Sequence, residues 1–331
     1  MSGRGQRGAS LHQNGLTLIE LMVSLTIGVI ASIAIFSAYL GASSASKMAD
    51  AQSRMNEDAH AALLILTQQL RMAGSNPDQP DRVDNPDPSV SSRRNPVYGT
   101  TTFFIRGCDG KFNDVASTPS FTLDTLECPA GATSSPPPPD SVAINYEADK
   151  FNTVPTNQAS GESPTDCVGN ALPAITAFVS SIAGTGTATT TTTTTVTYAV
   201  ARNVFYVDTS PSRGTTTSLY CKGNGIAPTS QGPQALVENL EDLQFLYGAA
   251  STTSTTATIA GYWPASEFPA QAQWSNVLSV RICVLVHSEQ PVLSSAAPTS
   301  YRNCEGALVI NPDGRLRQAY FSTVALRNRR L

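Results

Sequence analysis

The sequence predicts an α+β fold in which a long N-terminal helix lies against an antiparallel β-sheet domain. Three observations carry that prediction. An apolar run of 25 residues, Leu16 to Leu40, stands near the N-terminus. It passes without proline into a segment whose apolar residues recur at three- and four-residue steps. Beyond about residue 75 the chain turns to proline, glycine and short alternating apolar runs, the pattern of strands. At 331 residues it is long enough to bury a sizeable core.

The apolar run comes first because it sets the compartment. As a helix it measures about 37 Å at roughly 1.5 Å per residue, enough to cross a hydrocarbon core of about 30 Å with some tilt. The preceding "MSGRGQRGASLHQNG" carries Arg4 and Arg7 and no acid, which favours a cytoplasmic N-terminus and a single N-in, C-out anchor. A cleaved secretory signal is the alternative, with "SAYLGAS" as its small-x-small site. The run contains one charge, Glu20.

Residues 41–74 read as an amphipathic continuation of the same helix. Met48, Met55, Ala59, Ala62, Leu63, Leu66 and Leu70 form its apolar stripe, with Asp50, Arg54, Glu57 and Asp58 mostly off it. Gly74 and Pro77 supply the stop, and Arg71 suits the last turn. One helix from Leu16 to Ala73 follows, on the order of 87 Å long, half of it for lipid and half for a domain.

Residues 75–331 read as the β-rich domain. "NPDQPDRVDNPDP", residues 76–88, is a proline and acid loop whose oxygen ligands fit no calcium-loop spacing, so it reads as a solvated linker. "TFFIRGCDG", residues 102–110, is a strand and turn; Ser141 to Tyr146 is a strand after a polyproline connector. The threonine tract is a flexible lead-in to the strand "VTYAVARNVFYVD". "ALVENLEDLQFLYG" starts with Leu236, Leu240 and Leu243 at helical steps and ends as a strand at Gly248. "WSNVLSVRICVLVHS" alternates Val280, Ile282, Val284 and Val286 against Arg281, Cys283, Leu285 and His287, a strand near a sheet centre. "NPDG" at Asn311 to Gly314 marks a turn into the last strand, "RLRQAYFSTVALRNR".

Six cysteines, Cys108, Cys128, Cys167, Cys221, Cys283 and Cys304, all lie beyond the apolar run with no CxxC pair, a poor metal pattern. They suit disulfides in an oxidising compartment such as a periplasm or cell surface, with buried free thiols as the alternative. Sequence neighbours favour Cys108 with Cys128, Cys167 with Cys221 and Cys283 with Cys304. A net charge of -4 with 14% charged residues gives no basic field for nucleic acid.

An enzyme is not indicated. The sequence holds no GxSxG, HExxH or Gly-rich phosphate loop, and its three histidines, His12, His60 and His287, sit in the leader, a helix and a strand. Glu241 and Asp242 are adjacent, so in a strand they point to opposite faces. No cofactor and no metal site are expected.

"GLTLIELMVSLTIGVIA" resembles the class III signal and transmembrane helix of type IV pilins and pseudopilins. The resemblance implies a leader of residues 1–15, cleavage between Gly15 and Leu16 by a prepilin peptidase, N-methylation of Leu16 and a functional glutamate at Glu20. The family's usual first mature residue is Phe or Met, and here it is Leu16. "LVENLEDLQFLYG", "VLSVRICVLVHS" and "FSTVALRNR" are similar to the PilW family of minor type IV pilins, whereas residues 75–230 resemble no family. Together these imply a pilin-like fold and a minor pilin that helps initiate pilus assembly, near the filament tip. They also imply an inner-membrane anchor with a periplasmic domain before passage to the cell surface. The implied partners are other minor and major pilins, the inner-membrane assembly machinery and a tip adhesin. A minor pseudopilin of type II secretion and a pilus-borne binding module remain the alternatives. In either filament, Glu20 pairs with the new amine of Leu16, on a neighbouring subunit or on its own chain.

Overall fold

The computed structural model describes residues 15, 17–75, 104–113, 115, 121–129, 137–158, 161–183, 190–209, 216–226, 232–250, 258–268, 274–293 and 299–328. The chain divides into two compact units, Met1–Asp50 and Ala51–Leu331. One helix, α1 (Leu18–Met72), contributes to both. Among the described residues the strands are β1 (Ile105–Cys108), β2 (Ser141–Ala148), β3 (Thr156–Gln158), β4 (Gly161–Ser163), β5 (Ala174–Ala183), β6 (Thr190–Thr209), β7 (Thr217–Lys222), β8 (Gln234–Glu238), β9 (Leu240–Ala250), β10 (Ile259–Trp263), β11 (Val277–Pro291), β12 (Ser300–Arg302), β13 (Leu308–Ile310) and β14 (Arg315–Ala325).

In the first unit the helix is apolar on all sides and every described side chain from Leu18 to Asp50 is exposed except half-buried Ser43. Its hydroxyls turn inward: Ser24 donates to the Glu20 carbonyl and Ser32 to that of Gly28, both at 2.8 Å. Such back-bonding is what a polar side chain needs where no water competes.

In the second unit α1 buries a stripe of Met55, Ala59, Ala62, Leu66 and Leu70. Met48, expected in that stripe, is 41% exposed and falls within the first unit. The last turn closes at Gly74, whose φ of +74° and amide bond to the Asn145 carbonyl end the helix against β2.

Ten of these strands build two antiparallel sheets, and β3-β4 and β12-β13 form separate two-stranded ribbons. The first has the order β1-β2-β6-β7-β8, with β5 also on β6; the second has the order β10-β9-β11-β14. Core residues from α1 (Leu66), the first sheet (Ile144, Phe205, Leu219) and the second (Phe245, Val284) join in one cluster, so a single core serves helix and both sheets. Side-chain hydrogen bonds tie the helix to both. Asn203 on β6 donates to Gln69 at 2.9 Å, Asn239 donates to Asp58 at 3.0 Å, and Tyr320 on β14 donates to Asn56. Asn328 donates to the Arg71 carbonyl at 2.6 Å.

β11 lies inside its sheet as the alternation predicts, with Val280, Ile282, Val284 and Val286 buried. β14 returns along it in continuous register from Ser279↔Ala325 to His287↔Arg317. The turn at Asn311 to Gly314, with Gly314 at φ +70°, joins β13 to β14, which do not pair with each other.

Two readings need correction. The expected helix at Leu236 to Leu243 is two strands: Asn239, at φ +62°, breaks the chain between them, so β8 joins the first sheet and β9 the second. Leu240 and Leu243 share the core because the register slips between Leu285 and Val286, opposite Asp242 and Leu240, which accommodates one extra residue. A bulge thus imitated a helical step. The threonine tract is no flexible lead-in, since β6 already begins at Thr190 and pairs with β5 down to Ala183↔Thr190. β-branched residues fit that extended ribbon. The acidic loop at residues 76–88 lies outside the described residues.

Candidate functional site at the helix start

The residues that could act in processing and assembly sit where α1 begins. Gly15 is described, and an added Cβ there would meet nothing within 4 Å; Leu16 lies outside the described residues. Thr17 and Glu20 form a reciprocal cap. The Glu20 carboxylate oxygen Oε2 accepts from the Thr17 amide at 3.0 Å and the Thr17 hydroxyl at 2.9 Å. The Glu20 amide donates to Thr17 Oγ1 at 3.3 Å. This is a capping box, threonine at the cap and glutamate three residues on, and it places a negative charge where the helix dipole is positive. From the sequence the partner expected for Glu20 is the amine of Leu16; among the described residues its partner is Thr17, and "TLIE" spells the box.

Around this cap the exposed apolar side chains include Leu18, Ile19, Leu21 and Met22. The helix is long and apolar enough to cross a membrane, with a mean hydropathy of 2.3 over its best 18-residue window.

The β domain behind the helix is cross-linked three times. Cys108 pairs with Cys128, Cys167 with Cys221 and Cys283 with Cys304, at Cα separations of 5.7, 6.4 and 5.7 Å. The first ties the 121–129 loop to β1, the second ties the 164–172 loop to β7, and the third ties the loop after β12 to β11.

The titratable groups of this domain are engaged structurally. His60 is exposed, 6.3 Å from the Tyr320 ring. His287 is buried in β11, its Nδ1 3.0 Å from the Ser288 carbonyl, and burial holds it below its usual range. Glu241 pairs with Arg317 at 2.6 Å, while Asp242 accepts from Gln244 at 2.9 Å, so the two carboxylates do not share a site. Asp140 was not singled out in the sequence. It is buried, accepts from the Phe245 amide at 2.8 Å, and burial pushes it up to about 8. Nearby, an added Cβ at Gly107 would lie 2.0 Å from the Tyr247 hydroxyl, so only glycine fits under that ring. Among the described residues no cluster of three or more His, Cys, Asp or Glu side chains could hold a metal.

The family described as Type IV Pilus-assembly protein W matches residues 204–328, and the prokaryotic N-terminal methylation motif matches residues 10–36. Both ends of the chain are type IV pilin-like. The C-terminal match takes in the end of β6 and all of β7 to β14; the N-terminal one takes in Gly15, the Thr17–Glu20 cap and most of the apolar run of α1. A type IV-like pilin from Thermus thermophilus aligns with 83% of this chain and 96% of its own at 11% identity, with a TM-score of 0.35. No curated protein matches.

Proposed function

We propose that this type IV pilin-like chain is a minor pilin, a structural subunit that helps initiate pilus assembly near the filament tip. In this reading a prepilin peptidase cuts between Gly15 and Leu16 on the cytoplasmic side of the inner membrane and N-methylates Leu16. The helix then holds the β domain in the periplasm until the subunit is drawn into a filament at the cell surface. Its partners there are other minor and major pilins, the inner-membrane assembly machinery and a tip adhesin.

One observation carries the reading: an exposed apolar run of α1, residues 18–40, with a single charge, Glu20, under a methylation motif, in the same chain as a PilW match. Gly15 supports the processing step, since nothing among the described residues calls for glycine there. A carboxylate in hydrocarbon costs on the order of 2.5 to 3.5 kcal/mol at a helix centre and less near its end. In a bundle of parallel helices the amine of a neighbouring Leu16 offsets that cost and fixes one axial offset, so Glu20 acts as a register mark.

Replacing Glu20 by alanine is expected to leave insertion and cleavage intact and to deplete the subunit from sheared filaments. Normal incorporation of that variant defeats the assembly role. Gly15→Leu is expected to leave a precursor 15 residues longer in the membrane, and normal-size protein from it refutes the cleavage site. Binding of the purified protein to a host surface but not to other minor pilins would replace this reading by the adhesin.

A further inference from the structure

A glutamate side chain on a bare helix has several rotamers, and most of them aim its carboxylate sideways, into whatever surrounds the helix. Here it is folded back along the helix axis by two hydrogen bonds from Thr17, while the Glu20 backbone amide donates in return to the Thr17 hydroxyl. Both donors reach the same oxygen, Oε2, and one of them is the backbone amide bonded to the Leu16 carbonyl carbon. We infer that Thr17 is the positioning residue for the Glu20 carboxylate, holding it over the first helical turn, one residue from the Leu16 nitrogen.

The chemistry of the two positions is narrow. Position 17 must supply a hydroxyl that donates to the carboxylate and accepts from the amide of residue 20, which serine does and valine, equal in shape, does not. Position 20 must span one turn. Glutamine keeps that reach and an acceptor oxygen but loses the charge, whereas aspartate keeps the charge and is one methylene too short. In lipid the first-turn amides find no water, so losing the hydroxyl leaves both the carboxylate and the Glu20 amide short of a partner.

The inference rests on the proposed processing for its consequence. Once Leu16 becomes the terminus, the tethered carboxylate is held on the first helical turn, where the amine of a neighbouring subunit can meet it. The tether itself is independent of that reading.

The experiment uses the full chain in lipid nanodiscs, with amide hydrogen exchange read at residues 17–20, and in parallel the amount recovered in sheared filaments. Thr17→Val is expected to speed first-turn exchange about fivefold, the loss of one cap, and Thr17→Ser to restore it. In a Glu20→Ala background Thr17→Val is expected to add nothing, because the hydroxyl then has no carboxylate to hold. In cells Thr17→Val should lower incorporation in the same direction as Glu20→Ala, and Glu20→Asp should fail although it keeps the charge. Wild-type exchange in Thr17→Val, or effects of the two substitutions that multiply, overturns the inference. Loss of incorporation in Glu20→Ala with none in Thr17→Val overturns it too. If exchange shows the coupling while both variants assemble as wild type, the tether stands and the assembly role of Glu20 falls.

Discussion

From Leu18 to Asp50 the helix exposes almost every side chain, and most of them are apolar; from Arg54 to Arg71 the same helix buries five along one stripe and exposes Arg54, Glu57, Gln68 and Arg71. The two stretches differ in where their solvent comes from. The first satisfies its few polar groups internally, through the Thr17–Glu20 cap and inward-turned serines, and leaves its apolar surface to a medium the chain does not provide. The second brings its own medium, a core of two sheets closed by three disulfides. Composition alone separates them weakly, since leucine and alanine abound in both. The pattern of charges around the helix separates them well.

Four perturbations should divide the molecule along that line, read as unfolding of the full chain in detergent micelles. The largest is reduction. Opening the Cys167–Cys221 bridge, which closes 54 residues, is expected to cost about 4 kcal/mol, and the bridges closing 20 and 21 residues about 3 kcal/mol each. The helical signal of residues 18–50 should survive reductant, and its loss in step with the β signal would break the comparison. Next, Leu66→Ala in the buried stripe is expected to cost about 2 to 5 kcal/mol, whereas Leu25→Ala in the exposed half should leave the unfolding midpoint of the β domain unmoved.

The third perturbation is pH. Burial raises Asp140 to about 8, so the folded domain holds its proton more tightly than the unfolded chain, where an aspartate titrates near about 3.9. The associated stability is therefore full below about pH 4, declines as pH rises, and is gone above about 8, a span on the order of a few kcal/mol. His287, held below its usual range by burial, works the other way and removes stability as pH falls below about 6.5. Asp140→Asn should flatten the slope between about pH 6.5 and 8 while keeping an acceptor for the Phe245 amide, and an unchanged slope refutes the assignment. The smallest effect belongs to Glu289→Gln. Its pair with Arg54 is 74% and 63% exposed, and a shift above about 1 kcal/mol would mean that the pair is more than a surface contact.

Much of this architecture was legible because its signals are periodic or local. The α+β class, the helix, the central β11 and the returning β14 follow from apolar steps of three to four or of two, and the three cysteine pairs join sequence neighbours. What misled was a backbone event without a side-chain signature. Asn239 in the left-handed region and the slip beside it gave Leu240 and Leu243 a helical spacing inside a strand. Asp140 was hidden for a different reason, since its burial depends on β9 meeting it from about a hundred residues away. At the helix start the threonine–glutamate box is a local signal in "TLIE", three residues apart, whereas the cost of a charge in hydrocarbon points to a partner outside the helix.

The ties between α1 and the last strand have a mechanical consequence. Tyr320 sits beside Asn56 and Asn328 beside Arg71, so β14 and this part of the helix advance in the same direction. A pull along the helix is handed to β14 lengthwise. The ladder from Ser279↔Ala325 to His287↔Arg317 then resists in shear, with many hydrogen bonds strained together instead of parting one after another as in a zipper. Rupture under load is governed by the rate of unfolding rather than by equilibrium stability. Tension entering through the helix thus reaches the longest uninterrupted ladder of the second sheet.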